Sequence, residues 1–341
     1  MSACMTVPVP LLQLRGVSKR FVKSLDTVDR FSNLLGARMR EEVVHAVDDV
    51  TLSIHAGEVV GLVGESGCGK STLGRMAVGL QHLSAGQRLW KGSVMPQGSG
   101  RPNSAQARKD QLAIQMIFQD PYASINPRMR VLDIVGEAPV AHGLVEARGK
   151  QEYVADLLKR VGLDASFMRR FPHQFSGGQR ARIGIARALA VKPEFLVCDE
   201  AVAALDVSIQ AQVLNLFMEL RNALNLTYLF ISHDLGVVRH LADRVVIMYL
   251  GRVVESAPAD EIFARPNHPY TQALLASEPK LEVKKRVFIP VKGEIPSPLN
   301  PPSGCHFHPR CPFAMPQCAS VKPVLREIAP SHFSACHLND G

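Results

Sequence analysis

A glycine-rich run that ends in lysine and serine carries the strongest chemical signal in the chain. It reads Gly64-Glu65-Ser66-Gly67-Cys68-Gly69-Lys70-Ser71, with Thr72 next, and fits the phosphate-binding P-loop pattern. Glycines let backbone N–H groups curl around β- and γ-phosphate oxygens, Lys70 adds a full positive charge, and Ser71 suits Mg²⁺. A flexible glycine turn is the alternative. A predicted strand before the run and a predicted helix from Lys70 favour nucleotide binding, which leaves kinases, GTPases and many ATPases open.

Two adjacent carboxylates, Asp199 and Glu200, follow the apolar residues 195–198. At the mouth of a buried strand they would lie where Mg²⁺ and an attacking water sit in a P-loop enzyme. Asp199 suits the metal, directly or through a water, and Glu200 suits general-base catalysis. Such a pair is also common as a cap or a solvated turn, so its meaning depends on the P-loop upstream.

A second glycine-containing loop, Phe175-Ser176-Gly177-Gly178-Gln179, comes just before a predicted helix. Its N–H groups and hydroxyl form another anion site. If the two loops belong to separate subdomains, this one cannot reach the nucleotide on the P-loop of its own chain. Taken alone, Ser-Gly-Gly is a commonplace turn.

The elements that position these residues are predicted as a largely parallel sheet flanked by helices. Short apolar runs alternate with amphipathic segments, which is typical of buried parallel strands. The predicted strands are Glu58 to Val63, Leu112 to Phe118, Phe195 to Cys198 and Thr227 to Ile231. Between the second and third of them, residues from about Pro121 to Ala190 are predicted as a helical insert.

Three other segments are predicted to be irregular. Ser24 to Glu42 is polar and charged and Ser93 to Ala107 is rich in Gly, Ser, Pro and Gln, so both are predicted as surface excursions, the second as a loop. After Gly251 the pattern becomes irregular, and a domain boundary is placed there. An extended connector is marked by Pro290, Pro296, Pro298, Pro301 and Pro302.

The bulk composition bounds the class of protein. With 341 residues and 46% hydrophobic composition, the chain can bury a large core. It has neither an apolar stretch long enough for a membrane helix nor a signal-peptide pattern, so we expect a soluble, non-secreted protein. The net charge of +8 would suit nucleic acid, an anionic membrane surface or a phosphorylated ligand, and it is too evenly spread to choose among them.

The order of the motifs resembles the nucleotide-binding domain of ABC proteins. After the P-loop come Gln119, Ser-Gly-Gly-Gln, Asp199-Glu200, Ala204-Leu205-Asp206 and Ser232-His233-Asp234. The cysteine-rich tail and three further runs are similar to the ATPase subunits of oligopeptide and dipeptide ABC importers: Phe118 to Ser124, Cys198 to Val202 and His268 to Thr271. The resemblance implies an α/β P-loop NTPase at residues 1–250, with a helical subdomain at about 121–190 and an irregular, cysteine-rich C-terminal extension at 251–341.

The resemblance also implies roles for individual residues. ATP would be enclosed in a head-to-tail dimer, in which Ser176 to Gln179 serve the ATP of the second subunit and Asp206 crosses the interface. Gln119 would contact Mg²⁺ or the attacking water, and His233 the γ-phosphate. Phe21 is the candidate for stacking on adenine, with an ordinary core phenylalanine as the alternative. The chain departs from the common pattern at Ala203, where serine is usual, and at Phe175 in place of leucine.

The function implied is ATP hydrolysis that drives uptake of peptides or a related solute. The expected partners are a related or identical ATPase subunit, two transmembrane permease subunits and an extracytoplasmic solute-binding protein, with the chain peripheral on the cytoplasmic face of the membrane and no nucleic acid bound. One alternative is an ABC protein acting on DNA or ribosomes, but such proteins usually carry two cassettes, a coiled coil or zinc modules. Another, an ATP-binding homologue without turnover, is disfavoured by Glu200 and His233.

The last part of the chain concentrates cysteines. Four of the seven are Cys305, Cys311, Cys318 and Cys336. They supply enough thiolates for a [4Fe–4S] cluster or a tetrahedral zinc site. The spacing lacks Cys-x-x-Cys, although His306, His308, His332 and His337 could stand in as zinc ligands. The family resemblance favours the [4Fe–4S] cluster, with Zn²⁺ and unligated thiols as alternatives. Cys68 and Cys198 are predicted to be core or loop residues.

Overall fold

The computed structural model describes residues 9–23, 41–97, 104–120, 124–277 and 293–340. The strands in these ranges are β1 (Leu12–Lys23), β2 (Glu42–Ile54), β3 (Val59–Val63), β4 (Ala85–Trp90), β5 (Ser93–Val94), β6 (Ile114–Ile117), β7 (Phe195–Asp199), β8 (Thr227–Ser232), β9 (Arg244–Tyr249), β10 (Arg252–Pro258), β11 (Arg326–Ala329) and β12 (His332–Ser334). The α-helices are α1 (Lys70–Val78), α2 (Ala105–Leu112), α3 (Val131–Ala141), α4 (Lys150–Arg160), α5 (Gly177–Leu189), α6 (Val207–Leu224), α7 (Leu235–Leu241), α8 (Ala259–Ala264), α9 (Pro269–Ala276) and α10 (Pro316–Ser320).

A mixed sheet forms the centre of the molecule. Its order is β11-β12-β10-β9-β3-β8-β7-β6. Neighbouring strands pair in parallel from β9 to β6 and antiparallel from β11 to β9. All residues of β3, β7 and β8 are buried, because both faces of the parallel strands are covered. The predicted α/β class with a parallel sheet is confirmed.

The two faces of this sheet pack against different layers. On one face, α1 and an antiparallel sheet of order β2-β1-β4-β5 form a core that includes Leu62, Leu73 and Trp90. On the other face, α6 and the helices α3, α4 and α5 form a second core. There the Phe217 ring packs edge-on against Tyr228 and Phe230, at 5.7 Å between ring centroids in each pair. The helix of the P-loop and the helix of the Ser-Gly-Gly-Gln loop therefore belong to opposite layers.

Residues after Gly251 are tied into the same central sheet. β10 pairs with β9, and β12 pairs with β10. The Glu255 carboxylate on β10 is fully buried; it accepts hydrogen bonds from the backbone N–H groups of Asn267 and His268 and lies 2.7 Å from His332 Nε2. These contacts join α9 and β12 to β10. A division of the chain into domains at Gly251 stays a prediction.

The irregular segments were predicted less well than the sheet. The interpretation of Ser93 to Ala107 as a loop is wrong at both ends. Residues 93–94 pair with β4, and the Ser104 hydroxyl accepts a hydrogen bond from Ala107 N–H and so caps α2. The cap signal was present in the sequence but α2 buries none of its residues, so it has no apolar stripe. Most of Ser24 to Glu42, residues 121–123, Pro290 and Cys4 lie outside the described residues.

The helical insert between β6 and β7 is present as α3, α4 and α5. Its apolar side packs through Val154, Leu157 and Leu158 of α4 into the second core. Across the parts of the chain that the structure describes, each helix is too short or too polar to cross a bilayer.

Candidate active site

The P-loop connects β3 to α1 and is packed against neighbouring backbone. Gly69 precedes α1 with φ of 103°, and a Cβ there would collide with the Ala46 carbonyl on β2. A Cβ at Gly64 would collide with the Met248 carbonyl on β9. Glycine is required at both positions because of these close approaches, and at Gly69 also because of the left-handed backbone.

Lys70 holds the loop together from inside. Its side chain is buried, and Nζ donates hydrogen bonds to the carbonyls of Gly64 (2.7 Å) and Glu65 (3.0 Å). The Cys68 thiol is also buried, which raises its pKa and keeps it protonated. Cys68 is therefore a packed loop residue, as the sequence predicts, and Lys70 is the cation that faces the phosphate-binding backbone.

Ser71 and Asp199 bring the P-loop and the end of β7 together. Ser71 Oγ donates a hydrogen bond of 2.7 Å to Asp199 Oδ1. Burial raises the pKa of Asp199, while the hydrogen bond from Ser71 and the positive charge of Arg75 act in the opposite direction. A hydroxyl and a carboxylate are suitable donors for Mg²⁺, which usually takes one or two protein oxygens and completes its shell with phosphates and waters.

Three predicted catalytic residues converge beside this pair. Gln119 Nε2 donates a hydrogen bond of 2.8 Å to Glu200 Oε2, and His233 Nδ1 lies 3.4 Å from Glu200 Oε1. The three residues follow β6, β7 and β8, whose carboxyl ends meet at one edge of the sheet. The Glu200 side chain is 14% exposed, so it is largely shielded yet still open to a water.

The backbone at Glu200 is strained. Its φ is 47°, a left-handed conformation that costs roughly 1–3 kcal/mol for a residue with a side chain. The strain is held by a hydrogen bond of 3.0 Å from Glu200 N–H to the Ile231 carbonyl on β8. This turn directs the carboxylate toward Gln119 and His233, and nothing in the sequence pattern signals it.

The Ser-Gly-Gly-Gln loop lies with the opposite helical layer. Ser176 Oγ accepts a hydrogen bond from Gln179 N–H, and the Gln179 side chain accepts one from Ser176 N–H, which is a capping box on α5. Ser176 and Gly177 are exposed. A Cβ at Gly178 would collide with Ile209 on α6, and one at Gly177 would contact Leu205. The loop is thus adjacent to the segment that ends in exposed Asp206, and it is not brought to the P-loop.

Phe21 lies on β1, opposite Val44 of β2. Its side chain is 41% exposed, and Lys19 Nζ is 5.0 Å from the ring centroid. The same β2 contributes Ala46, which touches Gly69, so Phe21 is carried by the sheet that borders the P-loop. An exposed ring at this place is not an ordinary core phenylalanine.

The four C-terminal cysteines are free thiols gathered in one region. Burial, together with the charges of Cys318, Cys336 and Cys311, raises the pKa of Cys305 to about 11. Burial also raises the pKa of Cys311 and Cys336. Over the described ranges, no group of three His, Cys, Asp or Glu side chains is placed so that it could hold a metal ion.

The nearby histidines already have hydrogen-bond partners. His337 uses both ring nitrogens, at 2.6 Å from Asp340 Oδ2 and 2.9 Å from the Val321 carbonyl. His332 is paired with Glu255, and the Nδ1 atoms of His306 and His308 lie 2.9 Å from the carbonyls of Leu250 and Cys305. His337 has no ring nitrogen free for zinc.

Sequence reasoning missed the residues that brace the P-loop from the C-terminal region. Tyr270 and Arg310 both contact Glu65, and Gly251 N–H donates a hydrogen bond of 2.9 Å to the Cys68 carbonyl. Tyr270 stands in His268 to Thr271, a run noted for its resemblance but given no role. Arg310, next to Cys311, carries no local signal of its own.

Comparisons with known proteins agree with this geometry. The model of the ABC transporter family matches residues 47–203, and that of the oligopeptide/dipeptide transporter C-terminal region matches residues 254–318.

Among solved structures, cbiO1 of Clostridium perfringens, part of the ABC transporter complex cbiONQ, has a TM-score of 0.60 and 26% identity, covering 75% of this chain and 91% of that one. The dimeric ATP-binding cassette MJ0796 has a TM-score of 0.59 and 24% identity over 73% of this chain and 98% of that one, which shows a shared fold. Fold and site therefore define an ABC-type ATP-binding cassette that hydrolyses ATP.

Two relatives narrow the class. The oligopeptide transport ATP-binding protein AppF of Bacillus subtilis is 54% identical over 298 residues, which cover 86% of this chain and 90% of the relative. The putative oligopeptide transport ATP-binding protein YkfD of the same organism is 51% identical over 304 residues, covering 88% and 91%. The chain belongs to the family of oligopeptide transport ATP-binding proteins of ABC transporters.

Proposed function

We propose that this chain is the ATPase subunit of an ABC importer for peptides or a related solute. The observation that carries the proposal is the meeting of Ser71 and Asp199 with Glu200, Gln119 and His233 at one edge of the parallel sheet. The choice of a peptide as the solute rests on the relatives, which are named for oligopeptide transport.

The phosphates of ATP bind along residues 64–72, facing Lys70. Ser71 and Asp199, together with Gln119, would hold Mg²⁺, which would supply positive charge to the phosphates when bound. Phe21 stacks on the adenine ring, a role supported by its exposure and by its place on the sheet that borders the P-loop.

Glu200 acts as the general base. Its carboxylate takes a proton from the attacking water as the water oxygen bonds to the γ-phosphorus and the bond to the bridging oxygen of ADP breaks. The products are ADP and inorganic phosphate. Gln119 orients the carboxylate through its 2.8 Å hydrogen bond, and His233, whose Nδ1 lies 3.4 Å from Glu200 Oε1, contacts the γ-phosphate.

A second ATPase subunit, identical or related, completes each ATP site. Ser176, Gly177, Gly178 and Gln179 close over the ATP of the other subunit, and Asp206 crosses the interface. The proposal is supported by the exposure of Ser176, Gly177 and Asp206 and by the packing of the loop against Leu205 and Ile209. Exposed N–H groups at the start of α5 suit an anion.

Two permease subunits and an extracytoplasmic solute-binding protein form the rest of the transporter, and the chain is peripheral on the cytoplasmic face of the membrane. Within the chain, residues 1–250 form the nucleotide-binding domain and 251–341 an extension. The test is ATPase activity of the transporter in proteoliposomes with its binding protein. We expect stimulation by binding protein loaded with peptide. Stimulation only by binding protein loaded with nickel or a sugar would contradict the peptide assignment, and binding of nucleic acid with ATP-dependent release would favour the DNA or ribosome alternative.

We further propose that Cys305, Cys311, Cys318 and Cys336 hold a [4Fe–4S] cluster. Support comes from the donor set, because Cys318, Cys336 and Cys311 all lie close enough to Cys305 for their charges to act on it, and the neighbouring His337 is fully engaged elsewhere. Such a cluster would cross-link a region with little helix, a structural role. Protein purified without oxygen should be brown and contain iron and acid-labile sulfide, and should lose both on change of any one cysteine to serine. Zinc without iron would reverse the assignment.

A further inference from the structure

Glu65 of the P-loop is held by two side chains from the C-terminal region. Arg310 makes a two-pronged ion pair with it, with Nη1 at 2.8 Å from Oε2 and Nη2 at 3.0 Å from Oε1. The Glu65 backbone N–H donates a hydrogen bond of 2.9 Å to Tyr270 Oη. The ion pair joins residues 245 positions apart in the sequence.

The Arg310 side chain is built into a rigid aromatic setting. It is 7% exposed, and its guanidinium carbon lies 5.8 Å from the Tyr249 ring centroid and 5.9 Å from that of Phe307. The Tyr270 ring packs on the same two rings, at 4.7 Å and 5.4 Å. Rotation of either contact residue is therefore restricted, and the planar guanidinium matches a carboxylate in a fixed geometry.

The position of Glu65 matters because Glu65 helps to hold Lys70, the lysine of the nucleotide site, in place. The Glu65 carbonyl accepts a hydrogen bond from Lys70 Nζ, and its carboxylate is 24% exposed beside the phosphate-binding loop. An unpaired carboxylate here would repel the phosphates of ATP and could itself attract Lys70. Arg310 compensates this charge, and Tyr270 fixes the backbone that carries it.

We propose that Arg310 and Tyr270 are positioning residues for ATP binding, which act on the P-loop through Glu65. Neither residue reaches the reacting atoms. Their effect is on nucleotide affinity, and the chemical step depends on Glu200 as before.

The test is equilibrium binding of a fluorescent MgATP analogue to the full chain, with KM and kcat measured on the assembled transporter. Arg310→Gln should raise Kd and KM about tenfold, as expected for the loss of a charge-assisted contact, with kcat little changed. Adding Glu65→Gln to Arg310→Gln should bring Kd to a value between those of Arg310→Gln and wild type, because the uncompensated charge is removed while the fixed geometry stays lost. A Kd within about twofold of wild type in folded Arg310→Gln protein, or failure of Glu65→Gln to rescue it, would overturn the proposal.

Matched controls separate positioning from general stability. Arg252 forms a similar ion pair with Asp48, with 2.7 Å between Nε and Oδ2, and makes no hydrogen bond to the P-loop in the described residues. Arg252→Gln should lower the melting temperature and leave Kd unchanged. Tyr270→Phe should raise Kd about threefold by leaving the Glu65 N–H unpaired, whereas Tyr228→Phe, which removes a hydroxyl bonded to the Phe217 carbonyl, should not.

A conservative variant covers the case in which Arg310→Gln does not fold. Arg310→Lys keeps the charge and loses the two-pronged contact. Its Kd should rise about threefold, less than in Arg310→Gln protein, because the charge of Glu65 stays compensated while its fixed geometry is lost. A wild-type Kd in folded Arg310→Lys protein would contradict the positioning role.

Discussion

The two glycine-containing loops that open helices in this chain use the same backbone chemistry in opposite surroundings. The P-loop is packed against β2 and β9, and its backbone is bonded to Gly251 and Tyr270. The loop at Ser176 is exposed, and its capping hydrogen bonds join Ser176 and Gln179 to each other. A loop whose backbone is held by other parts of the same chain can bind its ligand without help from a second subunit. A loop that presents free N–H groups to the outside is suited to a ligand held by another subunit.

The largest expected effect comes from the edge of the sheet that serves the P-loop. Glu200→Gln keeps the shape of the side chain and cannot accept a proton, so single-turnover hydrolysis should fall by about 10²- to 10⁴-fold while MgATP binding is retained. Gln119→Ala is a useful comparison, because it removes the hydrogen bond to Glu200 and keeps the base. It should cost less. Hydrolysis at the wild-type rate in the Glu200→Gln transporter would eliminate the general-base role.

Loss of the buried lysine should be the next largest effect. Lys70→Met removes the charge and keeps an unbranched side chain of similar length, so MgATP affinity should fall by about 100-fold or more, given the usual strength of charged hydrogen bonds. The check is equilibrium binding, with Lys91→Met as a control, since Lys91 pairs with Glu194 on the surface. Undiminished affinity in Lys70→Met protein would remove Lys70 from the site.

A dimer with two lesions compares the loops directly. If the Ser176 loop acts on the other subunit's ATP, Lys70→Met in one subunit and Ser176→Arg in the other damage the same site, and one intact site remains. Both changes in a single subunit damage both sites. Two differently tagged copies allow each change to be placed in a chosen subunit; if the partner is a related second ATPase, its matching lysine is changed instead. The first arrangement should keep about half of the sites competent and the second almost none. The reverse pattern would show that the loop serves its own chain, and equal activities would indicate coupling between the sites.

The nucleotide edge of the site is predictable from sequence for a physical reason. Gln119, Glu200 and His233 each follow a buried strand, and parallel strands place their carboxyl ends together. The ion pair between Arg310 and Glu65 could not be predicted in this way. The two residues are 245 positions apart in the sequence, and no local pattern around Arg310 points to the P-loop. The left-handed Glu200 has no local signal either.

The same contrast explains errors elsewhere in the fold. The buried strands were predicted close to their observed bounds, since continuous apolar runs leave little choice. The first residues of α2, 105–107, fall in the segment predicted as a loop, because a helix that buries no residue lacks the apolar period on which sequence prediction depends. The arrangement of the cysteines depends on β10 and β12, which the sequence pattern after Gly251 did not indicate.

The smallest expected effect concerns the capping box at Ser176. Ser176→Ala removes the acceptor for Gln179 N–H and should lower the free energy of unfolding by about 1 kcal/mol, because an N-cap serine is lost. Ser104→Ala removes an equivalent cap from α2, which buries no residue, so its cost in global unfolding should be smaller.

Neither change touches the P-loop, so MgATP affinity of the single chain should be unchanged in both. Only Ser176→Ala should slow hydrolysis in the assembled dimer, since only that hydroxyl is proposed to face the second subunit's ATP. Denaturant unfolding, equilibrium binding and transporter ATPase activity measured on the same three proteins separate these effects. Slower hydrolysis in Ser104→Ala as well would mean that lost helix stability, and not a missing contact at the interface, accounts for the result.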